Sequence, residues 1–365
     1  MKKNEFAART ARFLDALAEQ GLGGAVIDNR DDYYYLTGYT GSDSVAVFAA
    51  RARKGWIVTD SRYAEEAEKT APGMETLLWR GNFGAFTGKL IKKLRIKKTG
   101  YTPHSLTAAF FQSMKAEAKT VSAWVDAGPC VAALRAVKSP AETRAVRAAL
   151  ACAEKAFLAA RGRWRIGMTE TDVKNDLEWE MRQNGADNAS FETIVAIGAN
   201  ASLPHAHAGG GKIQAGKMLL IDFGAIRDRY CSDLTRTLWA GDVPAAWRKR
   251  YRAVLEAQEA GIAAIRAGAP GRDVHQKARD VFAAHGLADR FTHGLGHGVG
   301  LAVHESPALS PRYDKPLAAG NIVTVEPGVY FPGSGGIRVE DMALVTEKGV
   351  EILSSLPKNP DSVIL

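Results

Sequence analysis

The stretch MLLIDFGAIRDRYCSDLT, residues 218–235, decides how this sequence is interpreted. It begins with an apolar run that is typical of a buried strand and ends in Asp222, and after a polar turn a second strand begins beside Asp233. If the two residues face each other across a hairpin, their carboxylates lie close together and must share protons or cations. The alternative, a capped turn and a surface acid, leaves Asp222 in its apolar run unexplained.

A second pair of strands near the C-terminus repeats this arrangement. NIVTVEPG, residues 321–328, ends an apolar strand at Glu326. In GIRVED, residues 336–341, strand alternation places Arg338 and Glu340 on the same face. On its own, a pair of this kind is usually a surface salt bridge.

Three of the eight histidines lie in THGLGHGVGLAVHE, residues 292–305. His293 and His297 have the spacing of a zinc-binding helix, but the intervening glutamate is absent and the glycines disfavour a helix. A dinucleotide-binding loop is disfavoured because the spacing is G-x-G-x-G and no acidic residue follows at the expected distance. The pattern favours a glycine-rich loop that brings His293, His297 and His304 to a compact site, and His205 is a further candidate upstream.

Four carboxylates and one imidazole form an oxygen-rich set that suits two divalent cations such as Mn²⁺ or Co²⁺, without cysteine thiolates. Two such ions about 3.5–4 Å apart share carboxylates and a water, and they lower the pKa of that water from ~15.7 toward ~7. The predicted chemistry is therefore hydrolysis at neutral pH.

The order of predicted elements suggests two domains. In the first, a helix over residues 4–20 has Phe6, Phe13, Leu14 and Leu17 on one face and ends at Gly21, and strands at 24–28, 44–49 and 56–59 precede a helix at 61–70. After residue 135, two helices and a group of strands occur twice, which implies a pseudo-symmetric domain with its site between the halves. The predicted elements are helices 140–165 and 169–184 with strands 193–198, 217–223 and 231–239, then helices 244–267 and 271–285 with strands near 291–295, 322–327 and 336–346.

Composition excludes several other classes of protein. The chain has 365 residues and a net charge of +8, and its densest basic stretch, residues 89–98, lacks the interleaved aromatics of a nucleic-acid site. No apolar run approaches the ~20 residues of a membrane span, and the N-terminus lacks an apolar signal core. Three cysteines without a CxxC pair fit a reducing compartment. We therefore expect a cytoplasmic protein with neither nucleic acid nor membrane as partner.

These motifs resemble those of the "pita-bread" metallopeptidases, the family of aminopeptidase P, prolidase, methionine aminopeptidase and creatinase. The resemblance extends over nearly the whole chain and implies an α/β (α+β) protein with a creatinase/prolidase-type domain at 1–134 and a pita-bread catalytic domain at 135–365. The motifs are YLTGYTGS (35–42), TDSRYAEEA (59–67), the junction LRAVKSP (134–140), IDFG with SDLTRT, GLGHGVGLAVHE, VTVEPGVY and GGIRVED.

The resemblance also implies roles for individual residues. The metal ligands would be Asp222, Asp233, His297, Glu326 and Glu340, and Glu326 would also handle the proton of the attacking water. His205, His293, His304 and Arg338 match positions that bind substrate and stabilise the transition state, and Tyr330 matches a site tyrosine of aminopeptidase P. His207 is interpreted as a histidine of the pocket rim or surface, and Cys231 as a packing residue.

Within the family, the N-terminal domain and the Arg338-Val339-Glu340 sequence favour proline peptidases over methionine aminopeptidase. The intact ligand set argues against creatinase and against a non-catalytic peptide-binding module on the same fold. The expected activity is that of an Xaa-Pro aminopeptidase with two divalent ions, Mn²⁺ or Co²⁺ before Zn²⁺ or Fe²⁺. The alternative is an Xaa-Pro dipeptidase. The family also implies a homodimer that acts on peptides with proline in second position.

One position separates these two activities. In several prolidases of the family, an arginine that binds the substrate carboxylate occupies the position of Ala308. Alanine offers no donor, and Arg312 could replace that arginine only if its loop folds back. The sequence therefore predicts that Xaa-Pro-Yaa peptides are cleaved at least as well as Xaa-Pro dipeptides.

Overall fold

A computed structural model describes residues 3–360 and 362–365. The internal contacts divide the chain into two units, the first ending at Arg135 and the second running from Ala136 to Leu365. No helix within those described residues has both the length and the hydropathy that a bilayer span requires.

The first unit is built on one six-stranded mixed sheet with strand order β4-β3-β2-β1-β5-β6. The three central strands β1–β3 pair antiparallel, and the outer strands are added in parallel. The strands are β1 (Gly24–Ile27), β2 (Val45–Ala49), β3 (Lys54–Thr59), β4 (Met74–Leu78), β5 (Lys98–Tyr101) and β6 (Ala123–Asp126). The helices are α1 (Lys3–Glu19), α2 (Arg30–Thr37), α3 (Ala64–Thr70), α4 (Phe83–Lys93), α5 (Ala108–Glu117) and α6 (Gly128–Ala136).

The N-terminal helix follows its apolar periodicity. Phe6, Phe13, Leu14 and Leu17 of α1 are all buried, and Gly21 beyond its end has a φ of 67°. Helix α2 was not anticipated, although Asn29 caps its first turn by accepting hydrogen bonds from two backbone amides. Apolar periodicity does not predict α2, because a helix of eight residues is too short to show a clear repeat.

The second unit alternates helix pairs with groups of strands, as its sequence indicates. Ser139 and Glu142 form a capping box at the start of α7, and Thr169 with Asp172 forms another at α8. The helices are α7 (Pro140–Arg161), α8 (Glu170–Gln183), α9 (Ala245–Ala264) and α10 (Gly271–Ala284).

Two antiparallel sheets carry most of the site. One has the order β12-β9-β8, and the other has the order β14-β13-β15-β18-β19. The strands are β7 (Asn188–Ala189), β8 (Ile194–Ile197), β9 (Met218–Phe223), β10 (Ala225–Arg227), β11 (Tyr230–Cys231), β12 (Leu234–Trp239), β13 (Gly296–Gly298), β14 (Glu305–Leu309), β15 (Ile322–Val325), β16 (Gly328–Phe331), β17 (Gly335–Arg338), β18 (Asp341–Thr346) and β19 (Gly349–Ile352).

Three predicted strands are corrected by the structure. The strand near 291–295 is wrong: those residues are irregular, and the strand begins at Gly296, where a Cβ would lie 1.9 Å from the carbonyl oxygen of Thr324. The strands predicted at 231–239 and 336–346 are each interrupted, at Asp233 and at Glu340. The second interruption has a clear cause, because the Glu340 amide donates to the Thr235 carbonyl of the other sheet at 3.1 Å.

Candidate metal centre and substrate cavity

A cavity of about 450 Å³ opens in the second unit where the two antiparallel sheets meet. Its wall combines acidic, imidazole and apolar groups, which suits a peptide whose reacting bond is polar. The lining residues are Phe191, Glu192, Ile194, Pro204, His205, Ala206, His207, Asp222, Asp233, His293, Gly294, Gly296, His297, His304, Glu326 and Arg338.

The sheet register places the first pair of carboxylates on one face. Asp222 in β9 pairs with Thr235 in β12 rather than with Asp233, which lies two residues earlier and therefore diagonally across the ladder. The two carboxylates are still close enough for the charge of Asp222 to raise the pKa of Asp233. The expected proximity therefore arises from a diagonal pair rather than from a directly facing one.

Donor atoms of Asp233, His297 and Glu340 lie within 4.8 Å of one another, as a metal site requires. His297 Nε2 is 3.2 Å from Glu326 Oε1 and 3.6 Å from Asp233 Oδ2. The other ring nitrogen of His297 lies 3.2 Å from the Gly298 carbonyl oxygen, which can only accept, so Nδ1 carries the proton. When the ring is neutral, the Nε2 lone pair is directed at the carboxylates, where a cation would sit. When the ring is protonated, Nε2 donates to Glu326 instead.

The electrostatics of the carboxylates call for bound cations. Burial raises the pKa of Asp222, and burial together with neighbouring carboxylates raises the pKa values of Asp233 and Glu340 well above their usual range. Burial also opposes ionisation of Glu326, but hydrogen bonding and charge from His297 outweigh it, and the pKa falls to about 2. Asp222 Oδ1 and Glu340 Oε1 are buried without a hydrogen-bond partner among the described residues. Hard divalent cations would satisfy both oxygens, so the donor set fits them.

Arg338 links the carboxylates to the substrate side of the cavity. Its guanidinium is 2.6 Å from Asp222 Oδ2, and it donates to the Thr235 hydroxyl at 3.1 Å and to the Tyr330 hydroxyl at 2.7 Å. Thr235 in turn donates to Glu340 Oε2 at 2.7 Å. Arg338 and Glu340 are therefore joined through Thr235, and both are almost fully buried rather than forming a surface pair.

His293 is held between the Gly294 carbonyl and the Tyr330 hydroxyl, and these two contacts define its tautomer. His293 Nδ1 lies 2.7 Å from the Gly294 carbonyl oxygen and must be the protonated nitrogen, so Nε2 accepts from Tyr330 at 3.0 Å. Burial lowers the pKa of His293 and favours the neutral ring. The chain Arg338–Tyr330–His293 is thus a directed series of hydrogen bonds.

The other histidines occupy the mouth of the cavity. The ring of His304 lies edge-on to His297 with centroids 4.2 Å apart, and burial with the nearby His297 lowers the pKa of His304. His205 is exposed and lines the cavity. The His207 side chain is 82% exposed and lies 3.3 Å from Glu192, which places it at the rim.

Ala308 and Arg312, the two positions expected from the sequence to govern peptide length, lie in and beside β14. Ala308 pairs with His297 across β13 and β14, so its side chain contributes no donor beside the centre. Arg312 is exposed and is absent from the cavity lining. Among the described lining residues, Arg338 is the arginine that reaches the cavity, and its donors are already engaged.

A second buried arginine lies behind the centre. Arg236 of β12 is 1% exposed and donates to Asp341 Oδ1 at 2.9 Å, to the Leu356 carbonyl at 2.7 Å and to the Pro357 carbonyl at 3.3 Å. Through these bonds Arg236 connects residues 356–357 to β12, which contains Thr235, and to the start of β18, which follows Glu340.

Comparison with known proteins identifies the family. Residues 144–347 match Metallopeptidase family M24, and residues 9–137 match the Creatinase/Prolidase N-terminal domain. The chain belongs to metallopeptidase family M24. The resemblance stated from the motifs and the α/β fold class are thereby confirmed, and the family together with the donor cluster supports a divalent-metal site.

The chain is similar to two solved structures and to one curated relative over nearly its whole length. A Xaa-Pro dipeptidase from Bacillus anthracis is 35% identical, with a TM-score of 0.92 over 99% of this chain and 100% of that one. An X-Pro aminopeptidase from Thermotoga maritima is 32% identical, with a TM-score of 0.87 over 96% and 98%. An uncharacterized peptidase of Bacillus subtilis, YqhT, is 37% identical over 93% of this chain and 95% of its own. The structural neighbours are thus prolidases and Xaa-Pro aminopeptidases.

Some site residues were not singled out from the sequence. Thr235 connects Arg338 with Glu340, and its signal was its position two residues after Asp233, at the start of β12. Glu192 and the Pro204 carbonyl, which accepts from Arg338 at 3.2 Å, carry no comparable signal because they lie in irregular segments.

Proposed function

We propose that this M24 protein is an Xaa-Pro aminopeptidase that removes the first residue of peptides with proline in second position. The observation that carries the proposal is the convergence of four carboxylates, two of them buried, with His297 Nε2. Among the described residues, one oxygen of Asp222 and one of Glu340 have no hydrogen-bond partner. The proposed ligands of two divalent ions are Asp222, Asp233, His297, Glu326 and Glu340. When bound, these ions supply Lewis acidity and a water of lowered pKa.

The protein's own groups have separate proposed tasks. Glu326 accepts a proton at its carboxylate. The neutral ring of His304 faces the cavity and stabilises the developing oxyanion or holds the substrate. His293 contacts the substrate from the cavity wall, since its Nδ1 proton is bonded to Gly294 and its Nε2 accepts from Tyr330. Arg338 orients Asp222 and Tyr330 through hydrogen bonds. His205 contacts the substrate from the mouth.

The choice of aminopeptidase over dipeptidase rests on Ala308 and Arg312. A strict dipeptidase must bind the carboxylate that follows proline, and an arginine fork is the usual means. The cavity offers no free guanidinium at β14, so a longer chain can continue past proline. The dipeptidase remains the second candidate because the Bacillus anthracis neighbour is described as an Xaa-Pro dipeptidase.

The remaining parts of the proposal rest on the sequence. Mn²⁺ or Co²⁺ are the proposed metals because the ligands are oxygen-rich. A homodimer and a domain boundary after residue 134 follow from the resemblance to creatinase/prolidase-type proteins. The three cysteines Cys130, Cys152 and Cys231, which form no CxxC pair in the sequence, support a reducing, cytoplasmic location.

The test is a matrix of metals against matched Xaa-Pro and Xaa-Pro-Yaa peptides. We expect kcat/KM for the tripeptides to equal or exceed that for the dipeptides, and Arg312→Ala to behave like the exposed control Lys315→Ala. A strong dipeptide preference that disappears in Arg312→Ala would identify a dipeptidase with Arg312 as the clamp. Peptide binding without hydrolysis under every metal would identify a non-catalytic binding module.

A further inference from the structure

One wall of the cavity is an irregular segment rather than a strand. After β8 ends at Ile197, the chain turns through Gly198–Ser202 and continues irregularly to Gly211. We call residues 198–211 the rim loop. It contributes Pro204, His205, Ala206 and His207 to the cavity lining.

Both ends of the rim loop are held by one buried carboxylate. Glu170, the first residue of α8, is 2% exposed. Its Oε1 accepts from the Ile197 amide at 2.7 Å and from the Asn200 side chain at 2.9 Å, and its Oε2 accepts from the Gly209 amide at 2.9 Å. A single side chain therefore closes a loop whose ends are more than ten residues apart.

The charge of Glu170 is stabilised without a cation in these contacts. All three donors are uncharged, and hydrogen bonds to an ionised acceptor are stronger than those to a neutral one. Its place in the first turn of α8 adds the favourable field of a helix N-terminus. Both carboxylate oxygens accept hydrogen bonds. A neutral amide of the same size would therefore place its NH2 group against at least one N–H donor, such as the Gly209 amide.

Close packing makes this anchor rigid. The Glu170 amide donates to the Gly211 carbonyl at 2.8 Å, and the Thr171 hydroxyl donates to the Gly209 carbonyl at 3.0 Å. A Cβ at Gly211 would lie 2.8 Å from Glu170 Oε1, whereas a Cβ at Gly210 would meet nothing within 4 Å. The loop connects onward to the centre because Pro204 accepts a hydrogen bond from Arg338.

We propose that Glu170 is a positioning residue for the peptidase reaction: by closing the rim loop it sets His205 and the Pro204 carbonyl at the cavity wall. This inference rests on the proposed function for its kinetic part. The anchoring itself is measurable without any substrate, so the two can fail separately.

The first test is amide hydrogen exchange of the full-length protein with Glu170→Gln and, as an independent perturbation, Gly211→Ala. Losing a charge-assisted hydrogen bond corresponds to about 10- to 100-fold faster exchange. We expect this at the Ile197 or Gly209 amides in both variants. The matched controls are Glu178→Gln on the same helix and Gly210→Ala in the same loop, which should exchange as the wild type. Unchanged exchange at both amides in Glu170→Gln would overturn the anchoring.

The second test is a kinetic cycle with His205→Ala. A misplaced loop should lower kcat/KM by about 10- to 100-fold in Glu170→Gln. In the His205→Ala background the same change should cost much less, because the residue being positioned is absent. An equal loss in both backgrounds would show that Glu170 acts only on general stability, and would refute the positioning role. A wild type without peptidase activity would refute the proposed function and this kinetic role while leaving the exchange result to decide the anchoring.

Discussion

The buried ion pair between Lys138 and Glu305 leads to a specific prediction about the stability of the fold. Lys138 Nζ lies 2.7 Å from Glu305 Oε1, and the two side chains are only 1% and 8% exposed. Glu305 directly follows His304, and a Cβ at Gly300 would lie 2.4 Å from its Oε1, so the loop closes tightly over this carboxylate. Lys138→Met keeps the aliphatic stem but removes the cation.

The magnitude follows from the burial. Removing one partner of a buried ion pair costs about 3–5 kcal/mol. For a domain of roughly 200 residues, each kcal/mol shifts Tm by about 2–4 °C, so we expect a decrease of about 6–20 °C. The double variant Lys138→Met with Glu305→Gln should recover at least half of the loss, because no charge remains buried.

The assay is urea denaturation and thermal unfolding of the wild type, both single variants and the double variant. Arg147→Met is the matched control in the same unit: Arg147 pairs with Glu351 at the same 2.7 Å, but the side chains are 38% and 50% exposed. An exposed pair contributes less than about 1 kcal/mol. If Lys138→Met cost no more than Arg147→Met, or if the double variant were as unstable as the single one, the reasoning from burial would be refuted.

Three further predictions concern the site and its surroundings. Asp233→Ala and Glu340→Ala should each lose at least one metal ion by elemental analysis while far-UV circular dichroism stays unchanged; two ions retained would contradict the ligand assignment. His304→Ala should keep its metals and lose about 10²–10⁴-fold in kcat, and an unaltered rate at saturating metal would exclude its catalytic role. Burial lowers the pKa of His275 to about 4 from 6.5, so stability should fall as pH drops from 6.5 through 4, where only the unfolded state takes up the proton. His275→Phe should flatten that part of the stability–pH curve, and an identical slope in the variant would assign it to other groups.

Local signals predicted the helices of the second unit well. The capping boxes at Ser139 and Thr169 fix where α7 and α8 begin, and Gly185, with a positive φ, lies just beyond the end of α8. The helix predicted over 244–267 is shorter than expected, because α9 ends at Ala264, four residues before Gly268. These features depend on residues only a few positions apart, so a sequence displays them directly. The same holds for Asn29 and the two aspartates that open α2, a signal that was present but not used.

The details of the site depend on contacts that no local pattern contains. The interruption at Glu340 exists because its amide bonds to Thr235, a residue about one hundred positions earlier in the chain. The diagonal placement of Asp222 and Asp233 depends on the ladder register, which a one-residue shift would have reversed. Motif resemblance nominated the acidic and imidazole residues, whereas their hydrogen-bond partners became visible only in three dimensions.

The hydrogen bonds from Arg236 to the C-terminal segment predict how the fold responds to the loss of that segment. The Trp239 amide donates to the Val363 carbonyl, and the Leu365 amide donates to the Trp239 carbonyl. Residues 363–365 are therefore hydrogen-bonded to the end of β12. Trimming the last ten residues would deprive a buried guanidinium of two carbonyl acceptors immediately behind Thr235. Removing residues 356–365 would therefore destabilise the strand that carries Thr235 without altering one residue that faces the cavity.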